Sequence, residues 1–350
     1  MSGDGRIAGA VTAWFGANAR SLPWRTTPRD PYHALVCEAM LQQTQVSRVI
    51  EKFAAFIERF PTVASLAAAD EHDVLALWTG LGYYRRARSL HAAARLIVAE
   101  FAGRVPQEVG ELLKLPGVGR YTAGAIASIA HGEPAPIVDG NVARVLLRVH
   151  GKPAAPDDKA VAGWLWERAA ALVNAAADPA AFNEGLMELG ATVCVPAPGV
   201  PRCDVCPLRA MCEARRTQRQ MEIPATKTAA RRRTVYCAVA VVRRTDGAVL
   251  VEQRGDAGMW AGMWQAPTLE RSDRAPRRAE LARSIGAAAK KLELRSSFES
   301  LATHRRMLFD VYDGAWSGRA KPKRGGFRLP AELVALGLSS PQRRALRVSE

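Results

Sequence analysis

Residues 111–130 read "ELLKLPGVGRYTAGAIASIA", two short helical patterns meeting at a proline-glycine turn. The spacing predicts one helix over 108–114 and a second over 121–130, separated by Leu-Pro-Gly-Val-Gly. That is the outline of a helix-hairpin-helix. Glycines in such a turn let the amides of Gly117, Val118 and Gly119 come close to a phosphate, and the second helix favours its negative charge. A plain αα-hairpin with a glycine turn has the same outline, so the surrounding chain must separate the two.

Outward from the hairpin, residues 1–213 read as almost wholly helical. Asp30-Pro31 is a good cap and first-turn pair for a helix that carries Glu38 and ends near Leu41. Thr44 can cap the next helix, which leaves Gln42 and Gln43 in the turn. Further helices are predicted over 70–78, 84–101, 140–149, 157–176 and 180–190. Residues 214–233, "ARRTQRQMEIPATKTAARRR", lack apolar periodicity and read as a basic linker. Residues 234–346 read as α+β: "TVYCAVAVV" and "AVLVEQR" flank a tight turn at Asp246-Gly247. A helix near 274–287, strands near 292–300 and 306–313, and a last helix near 341–347 complete that domain. A chain of 350 residues is expected to hold two domains, or three if the first is bilobal.

The 49 Lys+Arg against 34 Asp+Glu leave a net charge of +15, which favours polyanionic partners, nucleic acid first. The amino-terminal residues lack a basic flank followed by an apolar block, and no run reaches the roughly 18 apolar residues of a spanning helix. The expectation is therefore a soluble, cytoplasmic chain without membrane association. Four of the six cysteines, Cys194, Cys203, Cys206 and Cys212, crowd into one segment as C-x8-C-x2-C-x5-C. Four thiolates in one loop can hold an iron–sulfur cluster or a tetrahedral zinc. Cys37 and Cys237 sit in apolar runs and are expected in the core.

The hairpin, "VDGNVARV" at 138–145 and the cysteine loop, in that order, resemble the helix-hairpin-helix DNA glycosylase superfamily. Within it, "WRTTPRDPYHALVCEAMLQQTQV" (24–46), "LWTGLGYYRRARSL" (77–90) and Tyr121 resemble adenine DNA glycosylases of the MutY type. Residues 234–346, with "GMWAGMWQAPTLE" and "LSSPQRRAL" at either end, resemble that family's Nudix-like appendage.

This resemblance implies an all-α bilobal glycosylase domain over 1–213, with a 4Fe-4S loop at 194–212, joined to an α+β Nudix-like domain. It implies removal of adenine mispaired with 8-oxoguanine or guanine in double-stranded DNA, by a cytoplasmic, monomeric base-excision repair enzyme. Endonuclease III-like relatives carry a lysine where this chain has Tyr121. A phenol cannot form a Schiff base, so base removal without a lyase step is expected. By resemblance Glu38 protonates adenine N7, Asp139 stabilises an oxocarbenium-like sugar, and Asn141 and Tyr121 orient the site. Paired carboxylates suit glycosidic cleavage, and an apolar helix should raise the Glu38 pKa. Trp24, Arg25 and Glu184 would surround the extruded base. Gln42, Gln43, Leu81 and Tyr83 would fill the gap it leaves in the stack. In the appendage, Thr303 and His304 of "LATHRRM" fall where the family reads 8-oxoguanine, with Ala302 in place of an aromatic. The region "RRAELARSIGAAAKKLEL" lacks the glutamate cluster that holds magnesium in catalytic Nudix domains, which implies binding without pyrophosphatase activity. Two other readings are an endonuclease III-like glycosylase/lyase and a non-catalytic iron–sulfur DNA-binding protein. A zinc module fused to a nucleotide hydrolase is a third, disfavoured by the missing glutamates.

Overall fold

The computed structural model describes residues 2–156, 158–225, 232–255, 258–286, 289–302, 304–316, 322 and 325–348. The chain divides into two compact units that interleave in sequence: residues 1–69 with 88–228, and residues 70–87 with 229–350.

The first unit is helical. It holds α1 (Gly3–Asn18), α2 (Pro31–Leu41), α3 (Val46–Arg59) and α4 (Val63–Ala67). The short helix α5 (Glu71–Leu77) belongs to the second unit, and the division falls in the first turn of α6 (Arg85–Glu100). The first unit continues with α7 (Val109–Leu112), α8 (Arg120–Ala125), α9 (Gly140–Val149), α10 (Lys159–Asn174), α11 (Pro179–Thr192) and α12 (Glu213–Arg216). Helix α1 is not among the expected elements, because Gly3, Gly5, Gly9 and Gly16 dilute its helical pattern. It forms nonetheless, with Ser2 capping the Gly5 amide and Ile7, Val11 and Phe15 packed inward.

Asp30 caps α2 as expected, its Oδ1 accepting from the Tyr32 and His33 amides at 2.7 and 3.2 Å. Thr44 does not cap α3. Gln43 takes a left-handed φ of 58°, the turn closes through the Thr44 amide on Leu41 O, and Gln45 becomes the capping residue without a side-chain bond. The hairpin forms between α7 and α8, and α8 runs on as a π-helical turn over Ile126–Ala130. Gly117 has φ of 80°, and a Cβ there would stand 2.5 Å from Ser89 Cβ, so glycine is required on both counts. Helices α1, α9, α10 and α11 share one core built on Val11, Leu146, Leu172, Phe182 and Leu189.

The basic linker begins later than expected. Ile223 is 1% exposed, and its carbonyl accepts from Arg148 Nε at 2.7 Å. The Ala225 amide bonds Ala154 O. Residues 213–225 therefore pack on the helical unit, because Ile223 and α12 bury apolar surface that a composition count averages away.

The second unit contains β1 (Arg233–Arg243), β2 (Val249–Gln253), β3 (Trp264–Gln265), β4 (Thr268–Arg271), α13 (Arg278–Ile285), β5 (Ala289–Ala302), β6 (Arg305–Trp316), β7 (Gly326–Arg328), α14 (Pro330–Ala335) and α15 (Ser340–Leu346). The main path of the mixed sheet runs β3-β2-β1-β6-β5, with β1 and β6 parallel and the β5–β6 hairpin antiparallel. The apolar run of β1 is explained by burial on both faces. Val235, Cys237, Val239 and Val241 point to one core with Leu333 and Leu346 of α14 and α15. Ala238, Ala240 and Val242 point to another with Leu281 and Ile285 of α13. Residues 70–87 join this unit, and the Tyr84 hydroxyl donates to Leu338 O at 3.0 Å. Contiguity in sequence had suggested one helical domain over 1–213. A single buried tyrosine bond to a residue 254 positions away is invisible to local pattern.

Candidate active site

One cavity of about 230 Å³ in the helical unit gathers side chains from α2, α8, α9, α11 and the loop before α2. Glu38, Tyr121, Asp139, Asn141, Trp24, Arg25 and Glu184, named separately from the sequence, all line it.

Glu38 lies on α2 and is 6% exposed. Burial pushes its carboxyl up to about 7, with the Asp139 and Glu184 carboxylates adding to the rise and a hydrogen bond from Tyr121 holding it back. Asp139 is placed differently. It is the cap of α9, with Oδ1 accepting from the Val142 amide at 2.7 Å and Oδ2 from Asn141 Nδ2 at 2.8 Å. Burial raises the Asp139 pKa, and those bonds work against the rise. One carboxyl thus is buried with Oε2 unpartnered, while the other is wired into a helix start, the kind of contrast that separates an acid from a carboxylate.

Tyr121 follows the hairpin turn, in the first turn of α8. It is half-buried, its hydroxyl faces Met187 Sδ at 3.5 Å as well as Glu38, and burial drives its ionisation far above the ordinary range. Asn141 is held in turn by Arg144, whose Nη2 donates to Asn141 Oδ1 and Gly190 O at 2.8 Å each, and whose Nε donates to Cys194 O at 2.7 Å. Gly190 permits that arrangement: a Cβ there would stand 2.6 Å from Asn141 Cβ.

Glu184 and Arg25 belong to a chain of ion pairs whose connections the sequence did not disclose. Glu184 accepts from Arg25 and Arg29 at 2.8 and 2.6 Å, and Glu188 accepts from Arg20 and Arg25 at 2.5 and 3.0 Å. The i,i+4 spacing of Glu184 and Glu188 on α11 was the available signal for Glu188; nothing local pointed to Arg20 or Arg29. Trp24 packs edge-on against Phe53 at 5.5 Å.

Other expected residues lie elsewhere. Gln42 and Gln43 occupy the α2–α3 turn without lining the cavity, and Gln42 reaches Thr122 Oγ1 at 3.5 Å. Tyr83 is 47% exposed with φ of 49°, as a surface turn requires, but Leu81 in the same turn is 5% exposed, so turn position did not bring it to the surface. Arg86 stacks 5.5 Å from the Tyr83 ring. The Val118 amide closes the hairpin turn on Leu115 O, which takes it out of the expected phosphate-facing set. His304 is exposed in the β5–β6 turn, and Thr303 lies outside the described residues.

Cys194, Cys203, Cys206 and Cys212 line a second cavity together with Arg148, whose Nη1 stands 3.3 Å from Cys194 Sγ. Cys37 and Cys237 are buried, as expected.

Residues 36–171 match the HhH-GPD superfamily of base excision DNA repair proteins, and residues 238–348 match the NUDIX domain. The adenine DNA glycosylase of Mus musculus is 37% identical over 358 residues, covering 86% of this chain and 69% of its own length. The chain belongs to the adenine DNA glycosylase family. The adenine DNA glycosylase of Homo sapiens is 45% identical over 226 residues, covering 62% of this chain and 41% of its own; this chain thus spans well under half of that relative. A solved thermostable thymine-DNA glycosylase aligns with a TM-score of 0.55 at 28% identity, covering 61% of this chain and 97% of its own. Family membership explains both units: a helix-hairpin-helix glycosylase fold with a Nudix-like sheet domain after it.

Proposed function

We propose that this chain is a monofunctional DNA glycosylase that hydrolyses the N-glycosidic bond of adenine mispaired with 8-oxoguanine or guanine in duplex DNA. The observation that carries the reading is a buried carboxyl poised near pH 7, Glu38, and a hydrogen-bonded carboxylate, Asp139, in one cavity large enough for a purine.

Glu38 gives its proton to N7 of the extruded adenine, which weakens the bond to the sugar C1′. As that bond breaks, the electron pair leaves with the base and positive charge develops on the sugar, where the Asp139 carboxylate stabilises it. Water adds to C1′, and its proton passes to the Glu38 carboxylate, restoring the acid. Asn141 orients Asp139 through its 2.8 Å bond. Tyr121 offers no amine, so the abasic strand stays intact. Glu184, on its arginine pair, accepts from the base edge. The Gly117 and Gly119 amides are assigned to a phosphate, Tyr83 to the gap in the stack, and His304 to the oxidised guanine.

The four cysteines would hold a 4Fe-4S cluster. Four cysteine thiols lining one cavity match the donor set of a 4Fe-4S cluster. The Arg148 guanidinium beside Cys194 fits the negative charge of a thiolate cluster. The cluster would supply a brace for the loop between α11 and α12.

The test is base release from duplexes with adenine opposite 8-oxoguanine, guanine or thymine, with and without alkali. Alkali-dependent cleavage of the first two is the expected result. No release from any duplex, with DNA binding retained, would support the non-catalytic reading instead.

A further inference from the structure

We infer that Arg29 is a positioning residue that sets base specificity by fixing the carboxylate of Glu184; this rests on the adenine reading above. Glu184 is 5% exposed and lines the cavity. Its two oxygens are held by different cations: Arg25 Nε on Oε1 at 2.8 Å and Arg29 Nη2 on Oε2 at 2.6 Å. A carboxylate has about four acceptor positions. Two taken by arginines leave two, in a plane that the pair of cations determines. A carboxylate so held by two guanidinium donors turns its remaining acceptor positions to a base edge that donates, as an exocyclic amine does, and offers nothing to a base lacking one.

Arg25 cannot take over the second oxygen on its own. Its Nη2 is committed to Glu188 Oε2 at 3.0 Å, and Glu188 is itself gripped by Arg20. Without Arg29, Glu184 keeps a single anchor, Arg25 on Oε1, and its carboxylate can turn about that one contact. Arg29 is in turn anchored, with Nη1 on Thr26 O at 3.1 Å. It also adjoins Asp30, the cap of the helix that carries Glu38. One residue thus links the group that reads the base edge on α11 to the start of the helix that delivers the proton. Asp139 and Asn141 are not in this chain of bonds, so Arg29 should act on base selection and leave the sugar side of the site in place.

The experiment compares two substrates in the full-length chain: adenine opposite guanine, and unsubstituted purine, which keeps N7 but lacks the amine, opposite guanine. Single-turnover base release is measured for the unsubstituted chain, Arg29→Met and Arg29→Lys. Losing one charge-assisted contact should slow adenine release by about 10- to 100-fold in Arg29→Met. Purine release should slow by less than about threefold, and Arg29→Lys should recover part of the adenine rate. Equal slowing on both substrates would assign Arg29 a merely structural role and overturn the inference, as would no slowing on either. If Arg29→Met does not fold, the same ratio is read from Arg29→Lys, with a smaller difference between substrates expected. If the unsubstituted chain releases neither base, the adenine reading itself falls, and this inference with it.

Discussion

Glu38→Gln should make the protein more stable and inactive at once. Burial raises the Glu38 pKa from its usual 4.5 to about 7. Between those values the folded chain keeps a proton that the unfolded chain has lost. Stability therefore falls as pH rises through this window, and above it the full cost of burying the charge is present. The shift corresponds to about 3 kcal/mol, an order of magnitude for a buried group. Glutamine carries no charge to bury, and a poorly satisfied amide costs about 1 kcal/mol, leaving a net gain of about 2 kcal/mol at pH 8. For a unit of this size that is a rise in Tm of roughly 4–8 °C, shrinking to nothing or reversing as pH approaches 4.5. Thermal melts of both proteins at pH 5, 6, 7 and 8 measure it directly. In the unsubstituted chain, kcat/KM for base release should fall about tenfold per pH unit above pH 7 as Glu38 loses its proton, while Glu38→Gln stays inactive throughout. A variant that melts lower than its parent by the same amount at every pH would refute burial as the cause of the raised pKa.

Three further outcomes are expected. Asp139→Asn keeps the cap, since asparagine serves that position as well as aspartate, so Tm should change by only a few degrees while base release drops about 10²- to 10⁴-fold. Gly190→Ala places a Cβ 2.6 Å from Asn141 Cβ; denaturant unfolding should show a loss of about 1–3 kcal/mol, with slower base release because Asn141 is displaced from Asp139. Cys206→Ser should yield protein without full iron and sulfide content and without the visible absorption of a thiolate cluster, read by metal analysis and spectroscopy. Unchanged iron in that variant would remove Cys206 from the ligand set.

Local sequence determined the elements and the chemistry of this protein, and tertiary structure decided their arrangement. Asp30-Pro31 set the start of α2, the glycine turn set the hairpin, and the short apolar run "TVYCAVAVV" set a strand, because caps, turns and local composition act within a few residues. The roles of Glu38, Tyr121, Asp139 and Asn141 came from another source: the motifs around them resemble those of a known glycosylase family, and the spacing of residues alone does not assign them. What lies between distant residues was legible in neither. The Arg20–Glu188–Arg25–Glu184–Arg29 chain joins side chains about 160 positions apart. Ile223 is buried inside an apparently polar linker, Leu81 is buried in a turn, and residues 70–87 pack with the sheet domain. Long-range packing and ion pairing obey no sequence period, so only the folded chain brings these partners within bonding distance.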